Sequence, residues 1–316
     1  MAVYIGALAA GLILVVVGGH LFVDSSVVIA KRLGLPRMVV GGTIVSIATT
    51  TPELVVSMTA SYVGDSGIAM GNAVGSAITN IGLIVGIVGL LTEVRIDLTE
   101  FKVAWTWMFL SAVLVILVSW RLQTTRGAGL MLVGVSMAYL AFDSFRMKTG
   151  KRPLPVDAGE ETTGTKAGLW FLVGAALVIG GSRLLVRSGI AVAAVLGIPS
   201  VVIGLSVIAV GTSLPELVTG IISARRGVPD LSVGNIVGAN VLNLALIVGA
   251  SSMIHPLNIT PFTRAYSFPW LMVFIVALAW GLRRDGRLST GVGALLLALY
   301  GLYIAGLVVW PALGIE

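Results

Sequence analysis

The chain repeats itself at a displacement of 163 positions. Leu33-Gly34-Leu35-Pro36 returns as Leu196-Gly197-Ile198-Pro199, and Ala48-Thr49-Thr50-Thr51-Pro52-Glu53-Leu54 returns as Gly211-Thr212-Ser213-Leu214-Pro215-Glu216-Leu217. Gly71-Asn72-Ala73-Val74-Gly75 falls on Gly234-Asn235-Ile236-Val237-Gly238, and Asn80 falls on Asn243. Apolar matches arise by chance between any two stretches rich in Leu and Val. A doubled Pro-Glu, a doubled Gly-Asn and a later Asn, all in one ungapped register, do not. The fold is therefore two copies of one unit with the same internal order of elements.

The apolar character of the chain defines that unit. Hydrophobic residues make up 57% and charged residues 11% of the 316, against roughly half and a quarter in soluble domains, and the mean hydropathy is +1.04. Stretches such as Val103 to Trp120 and Phe268 to Leu282 have the apolarity of helices that cross a bilayer in about 20 residues. We expect an all-α integral membrane protein with spans at about 3–30, 37–63, 67–91, 103–120, 127–146, 167–194, 199–224, 230–254, 266–282 and 288–311. Each half then holds an odd number of spans, so the second copy enters the membrane from the opposite face. Such inverted repeats are a mark of alternating-access transporters. The halves are 1–146 and 167–316, joined by a polar linker at 147–166.

Charge sets the orientation. With ten spans, fifteen of the twenty Lys and Arg collect on the side that carries 147–166, among them Lys31, Arg32, Arg37, Arg146, Arg225 and Arg226. The positive-inside rule makes that side cytoplasmic and puts both termini outside a multi-pass cell-membrane protein. The same distribution accounts for the net charge of +6 without a nucleic-acid partner. The apolar N-terminus lacks a basic n-region and reads as a first span, not a removable signal. No cysteine is present, which excludes thiolate metal sites and cysteine nucleophiles. No phosphate-binding loop or nucleophile–base arrangement points to an ATP-driven pump or an enzyme.

Glu53 and Glu216 fall mid-span, where an ionised side chain costs at least ~2.5 kcal/mol unless it faces a partner or a wet cavity. Each follows small hydroxyl residues and a proline: Thr49, Thr50, Thr51 and Pro52 in one half, Thr212, Ser213 and Pro215 in the other. Proline lacks an amide hydrogen and crowds the preceding turn, so both helices are expected to kink or unwind there. Unwinding frees carbonyls near Thr49 and Thr212, which is tolerable only where they line a cavity. Two carboxylates with carbonyl, hydroxyl and amide oxygens form an all-oxygen site that suits Ca²⁺ or Na⁺ and offers nothing soft for copper or zinc. The competing reading makes each Glu a protonated packing residue. Asn80 and Asn243 serve either as ligands or as interhelical hydrogen-bonding amides, and Ser76 as a ligand or a core hydroxyl.

These motifs resemble the paired alpha repeats of the sodium/calcium exchangers, in particular the compact prokaryotic members, and the resemblance covers the whole chain, with the two repeats at 41–86 and 204–249. It implies ten helices, eight packed around the site and the long first and sixth lying across them. It also implies a diamond of ion sites on the second, third, seventh and eighth helices, with broken helices at its centre. Glu53 and Glu216 would be shared ligands of Ca²⁺ and Na⁺, backbone oxygens at Thr49 and Thr212 would complete the calcium site, and Thr50, Ser76, Asn80, Ala209, Ser213 and Asn243 would line neighbouring positions. Three departures from the family pattern bear on this. Ala48 and Thr51 stand where the second repeat has Gly211 and Leu214; Ala239 stands where a serine is common; and Asn243 replaces an aspartate found in potassium-dependent and some prokaryotic relatives.

The expected function is a secondary antiporter exchanging Na⁺ for Ca²⁺, electrogenic and independent of K⁺. It needs no cofactor, its substrates are the two ions, and its partner is the lipid bilayer. A Ca²⁺/H⁺ or other cation/Ca²⁺ exchanger of the same superfamily is the alternative. Such proton exchangers typically carry an extra acidic residue after the Gly-Asn-Ala element, and Gly71-Asn72-Ala73-Val74-Gly75 has none. An ion channel has no need of inverted, interrupted helices. Oligomeric state is left open, with a monomer the simplest case.

Overall fold

A chain dissolved in lipid must satisfy its backbone polar groups internally, and the helix does this within one segment. The computed structural model describes residues 2–33, 37–149, 164–195, 209–283 and 286–312, and among these described residues it contains ten helices. They are α1 (Ala2–Leu33), α2 (Arg37–Tyr62), α3 (Ser66–Leu91), α4 (Leu98–Val118), α5 (Arg126–Thr149) and α6 (Gly164–Val195), then α7 in two pieces (Ala209–Thr212 and Leu214–Arg225), α8 (Pro229–Ile254), α9 (Thr263–Leu282) and α10 (Thr290–Ala312). Among the described residues, all of these except α6 and α7 are long and apolar enough to cross a bilayer. Helix extends into both ends of the polar 147–166 stretch, to Thr149 and from Gly164; residues 150–163, and the expected start of the seventh span, lie outside the described residues.

Local chemistry sets several helix starts. The Asp65 side chain accepts from the Ile68 amide at the head of α3, and Asp97 accepts from Thr99 and Glu100 at the head of α4. Each satisfies amides that a first helical turn leaves without partners. Pro229, in the first turn of α8, gives up an amide that would be unpaired anyway.

Two short antiparallel strand pairs tie the loops together, β1 (Val94–Arg95) with β4 (Arg287–Leu288) and β2 (Gln123–Thr124) with β3 (Leu257–Asn258). β1 follows α3 just as β3 follows α8, and β2 follows α4 just as β4 follows α9. The two pairs are thus the same element made twice. With ten alternating helices they fall on opposite sides of the bundle, as inverted halves require. Charged pairs gather on the side of β1 and β4: Arg37 with Asp230 at 2.9 Å, Arg146 with Glu100 at 2.6 Å and Arg226 with Asp24 at 3.0 Å.

The centre belongs to α3 and α8, whose Met70, Ile78, Ile81, Ile84, Ile236 and Leu242 are among the largest fully buried side chains described. Helix α8 lies directly on α2, backbone to backbone. A β-carbon on Gly234 would collide with the main chain of Met38, and one on Gly238 with that of Gly42. Tyr139 of α5 braces the same stretch by donating its hydroxyl to the Gly42 carbonyl at 2.8 Å. Helices α1 and α6 form a pair of their own, close at Gly18 and Gly174 and stacked at Phe22 and Phe171, whose ring centroids are 4.6 Å apart.

Candidate ion-binding site

All four central helices depart from regular α geometry. α2 has a π segment at Gly41–Val45, α3 at Asn80–Val85 and α8 at Leu242–Ile247, while α7 is interrupted at Ser213. A π segment inserts a residue into a turn, loosens the backbone pairing and re-aims the side chains that follow. Asn80 and Asn243 both sit at the start of such a segment.

The two prolines behave differently: the helix is interrupted just before Pro215, and it is not unwound at Pro52. Pro215 stands in the first turn of the second piece of α7, directly after the break. Pro52 lies inside the continuous α-helical stretch Ser46–Tyr62, and the irregularity of α2 lies earlier, at Gly41–Val45. The neighbouring residues differ between the repeats. In the first repeat Thr51 donates its hydroxyl to the Ile47 carbonyl at 2.8 Å, a bond to the i−4 carbonyl of the kind that bends helices. In the second repeat the corresponding positions are Leu214, which has no hydroxyl, and Gly211 in place of Ala48, a poorer helix former.

The two glutamates are brought together from opposite halves, both 0% exposed. Each receives a long hydrogen bond from the other half: Ser213 Oγ to Glu53 Oε1 at 3.4 Å, and Thr50 Oγ1 to Glu216 Oε1 at 3.5 Å. Thr50 and Ser213 are equivalents in the 163 register, so the two bonds are one bond drawn twice about a pseudo-two-fold axis. A second such pair surrounds the first. Thr49 Oγ1 donates to Asn235 Oδ1 at 3.2 Å, and Thr212 Oγ1 to Asn72 Oδ1 at 3.1 Å. Ser76 Oγ lies 3.5 Å from Thr212 Oγ1; its register partner is Ala239, so this contact has no twin. Ala209 begins the first piece of α7, and its side chain lies outside the described residues.

Among the described residues no ion pair reaches either glutamate. Glu53 Oε2, Glu216 Oε2, Asn80 Oδ1 and both amide atoms of Asn243 are buried without a hydrogen-bond partner. Over this polar centre, Phe22 of α1 and Ala175, Val178 and Ile179 of α6 line a narrow crevice with Ala48, Thr49 and Pro215.

Three amides were absent from the sequence-derived site. Asn72 holds the Glu53 carbonyl with its Nδ2 at 3.2 Å and Ser57 Oγ at 2.9 Å, besides accepting from Thr212. Asn235 donates to Thr219 Oγ1 at 3.4 Å. Their doubled Gly-Asn was the visible signal. Asn240, which contacts Asn80, has no doubled counterpart and gave none.

The chain matches the family described as sodium/calcium exchanger protein over residues 3–145 and 166–309, one match to each half. It is 32% identical to the inner membrane protein YrbG of Escherichia coli (strain K12), with 97% of this chain and 95% of that protein covered. To the sodium/calcium exchanger MaX1 of Methanosarcina acetivorans it is 30% identical, with 87% and 91% covered. Its fold is similar to that of the sodium-calcium exchanger NCX_Mj soaked with Na⁺ and Sr²⁺, at a TM-score of 0.85 and 27% identity over 96% of this chain and 98% of that one. Matched in both halves by one family and along nearly its whole length by the fold of a solved exchanger, this chain belongs to the sodium/calcium exchanger family of multi-pass membrane transporters.

Proposed function

We propose that the protein is a Na⁺/Ca²⁺ antiporter working by alternating access, with Glu53 and Glu216 as the carboxylates shared by its ion sites. The observation that supports this most is that, among the described residues, the buried carboxylate and amide oxygens without partners are Glu53 Oε2, Glu216 Oε2, Asn80 Oδ1 and Asn243 Oδ1. Buried polar atoms left unpaired are costly, and a hard cation that takes about 6–8 oxygens removes the cost. Two carboxylates balance the charge of one Ca²⁺, and backbone oxygens at Thr49 and Thr212 extend its shell. Thr50, Ser76, Ser213 and the backbone at Ala209 flank the positions for Na⁺. The uncharged Asn243 agrees with independence of K⁺.

Alternating access needs a cover that moves. Helices α1 and α6, packed on each other and over the crevice at Thr49 and Pro215, fit that role. The side carrying the Arg37, Arg146 and Arg226 ion pairs and the 147–166 linker is cytoplasmic, with both termini outside. An inward Na⁺ gradient then extrudes Ca²⁺, and more than two Na⁺ per Ca²⁺ makes the exchange electrogenic.

Reconstituted vesicles loaded with Na⁺ and diluted into Na⁺-free medium with ⁴⁵Ca²⁺ test this reading. Uptake is expected to vanish when Na⁺ is equal on both sides and to accelerate under an inside-positive potential. Uptake driven by a pH difference and indifferent to the Na⁺ gradient would replace the reading with a Ca²⁺/H⁺ exchanger.

A further inference from the structure

Asn240 of α8 lies beside Asn80 of α3, fully buried in the bundle core, with both of its amide atoms hydrogen-bonded. Its Nδ2 donates to the Ala77 carbonyl at 3.2 Å, with Met108 Sδ at 3.6 Å, and its Oδ1 accepts from Asn80 Nδ2 at 3.0 Å. Ala77 and Asn240 are register equivalents, separated by the repeat displacement of 163. Two equivalents in direct contact sit on the pseudo-two-fold axis itself. The axis therefore holds a single amide where a symmetric molecule would hold two or none.

The direction of this chain of bonds is forced. A backbone carbonyl can only accept, so the Ala77 oxygen makes Asn240 turn its NH₂ towards it. Asn240 must then turn its oxygen to Asn80, and Asn80 can only answer with its own NH₂. The Asn80 oxygen is left pointing the other way, buried and without a partner. Asn243, the equivalent of Asn80, has no such relay, and neither of its amide atoms is bonded among the described residues.

We infer that Asn240 is a positioning residue of the ion site, locking the Asn80 amide with its oxygen presented to the cation and so making the two halves unequal: Asn80 is a fixed oxygen and Asn243 a free rotor. The inference rests on the reading of Asn80 as an ion ligand. A carbonyl oxygen held in place costs the ion less to gather than one that must first be turned, and partners behind a metal ligand commonly change affinity by about 10–100-fold.

The test is a double-mutant cycle in reconstituted vesicles, reading the half-saturating Ca²⁺ and Na⁺ concentrations separately from the maximal rate. Asn240→Ala is expected to raise half-saturation by about 10-fold, and to add nothing in an Asn80→Ala background. An equal further loss in that background, or no shift in the single variant, overturns the inference. If Asn80→Ala itself leaves both affinities unchanged while Glu53→Gln abolishes uptake, it is the assignment of Asn80 that fails. Should Asn240→Ala not fold, the swap Ala77→Asn/Asn240→Ala decides, because it keeps one amide on the axis but hands it to the other half. Removing Asn243 should then cost more affinity than removing Asn80, the reverse of the parent protein. A dependence that stays on Asn80 overturns the inference as well.

Discussion

Each glutamate of the centre is anchored by a hydroxyl of the opposite repeat, Glu53 by Ser213 and Glu216 by Thr50. The carboxylate charges and the hydroxyl anchors differ greatly in expected weight. Glu53→Gln or Glu216→Gln removes one of the two negative charges proposed to bind the divalent ion, and ⁴⁵Ca²⁺ uptake should fall by on the order of 100-fold in each. Uptake at the parent rate in both would leave the carboxylates without a role in transport. The anchors, at 3.4 and 3.5 Å, are long; Ser213→Ala or Thr50→Ala should weaken uptake only about fivefold, as the loss of one modest hydrogen bond does. Ala239 offers the converse experiment. Its equivalent Ser76 reaches Thr212 across the halves, so Ala239→Ser supplies the missing hydroxyl opposite Thr49. Half-saturating Na⁺ should drop by about threefold, and an unchanged Na⁺ dependence would show that this position does not contribute to sodium binding.

At the scale of elements, the packing of α2 on α8 is the tightest constraint described around the site. Gly238→Ala drives a methyl group into the Gly42 backbone, at a stretch already pinned by Tyr139 and by the π segment Gly41–Val45. Overpacking of this kind costs about 1–3 kcal/mol, so the melting temperature in detergent should fall. Gly134→Ala on α5, where a β-carbon meets nothing within 4 Å, should leave it unchanged or higher. Most helix ends were legible from apolar runs bounded by polar hinges, and α2, α3 and α8 begin and end within a residue of the expected positions. The breaks were not equally legible. Proline removes one amide wherever it stands, but whether the helix opens depends on what else holds the turn, and α2 stays α-helical through Pro52. The two-residue strands gave no signal because pairs this short have no periodicity to read.

At the scale of the molecule, inverted symmetry appears in three independent features: the doubled sequence, the strand pairs β1·β4 and β2·β3, and the crossed hydrogen bonds at the centre. The orientation proposed from charge can be read by labelling, since the chain contains no cysteine. In intact cells a membrane-impermeant maleimide should modify Val63→Cys, between α2 and α3, and should reach Glu93→Cys, between α3 and α4, only after permeabilisation. The opposite pattern would invert the topology and the direction assigned to transport.

The sequence alone determined that there are two inverted copies, how many spans each has and that Glu53 and Glu216 are equivalents. These conclusions rest on residue type and spacing, and on the cost of a charge in lipid, which is paid locally. The tertiary structure alone decided where each helix breaks and which oxygens are left unpaired. It also decided that Asn72, Asn235 and Asn240 belong around the centre. Their contacts across the two halves join residues 132 to 186 positions apart, and that geometry comes from the packing of one half against the other, which no local pattern encodes.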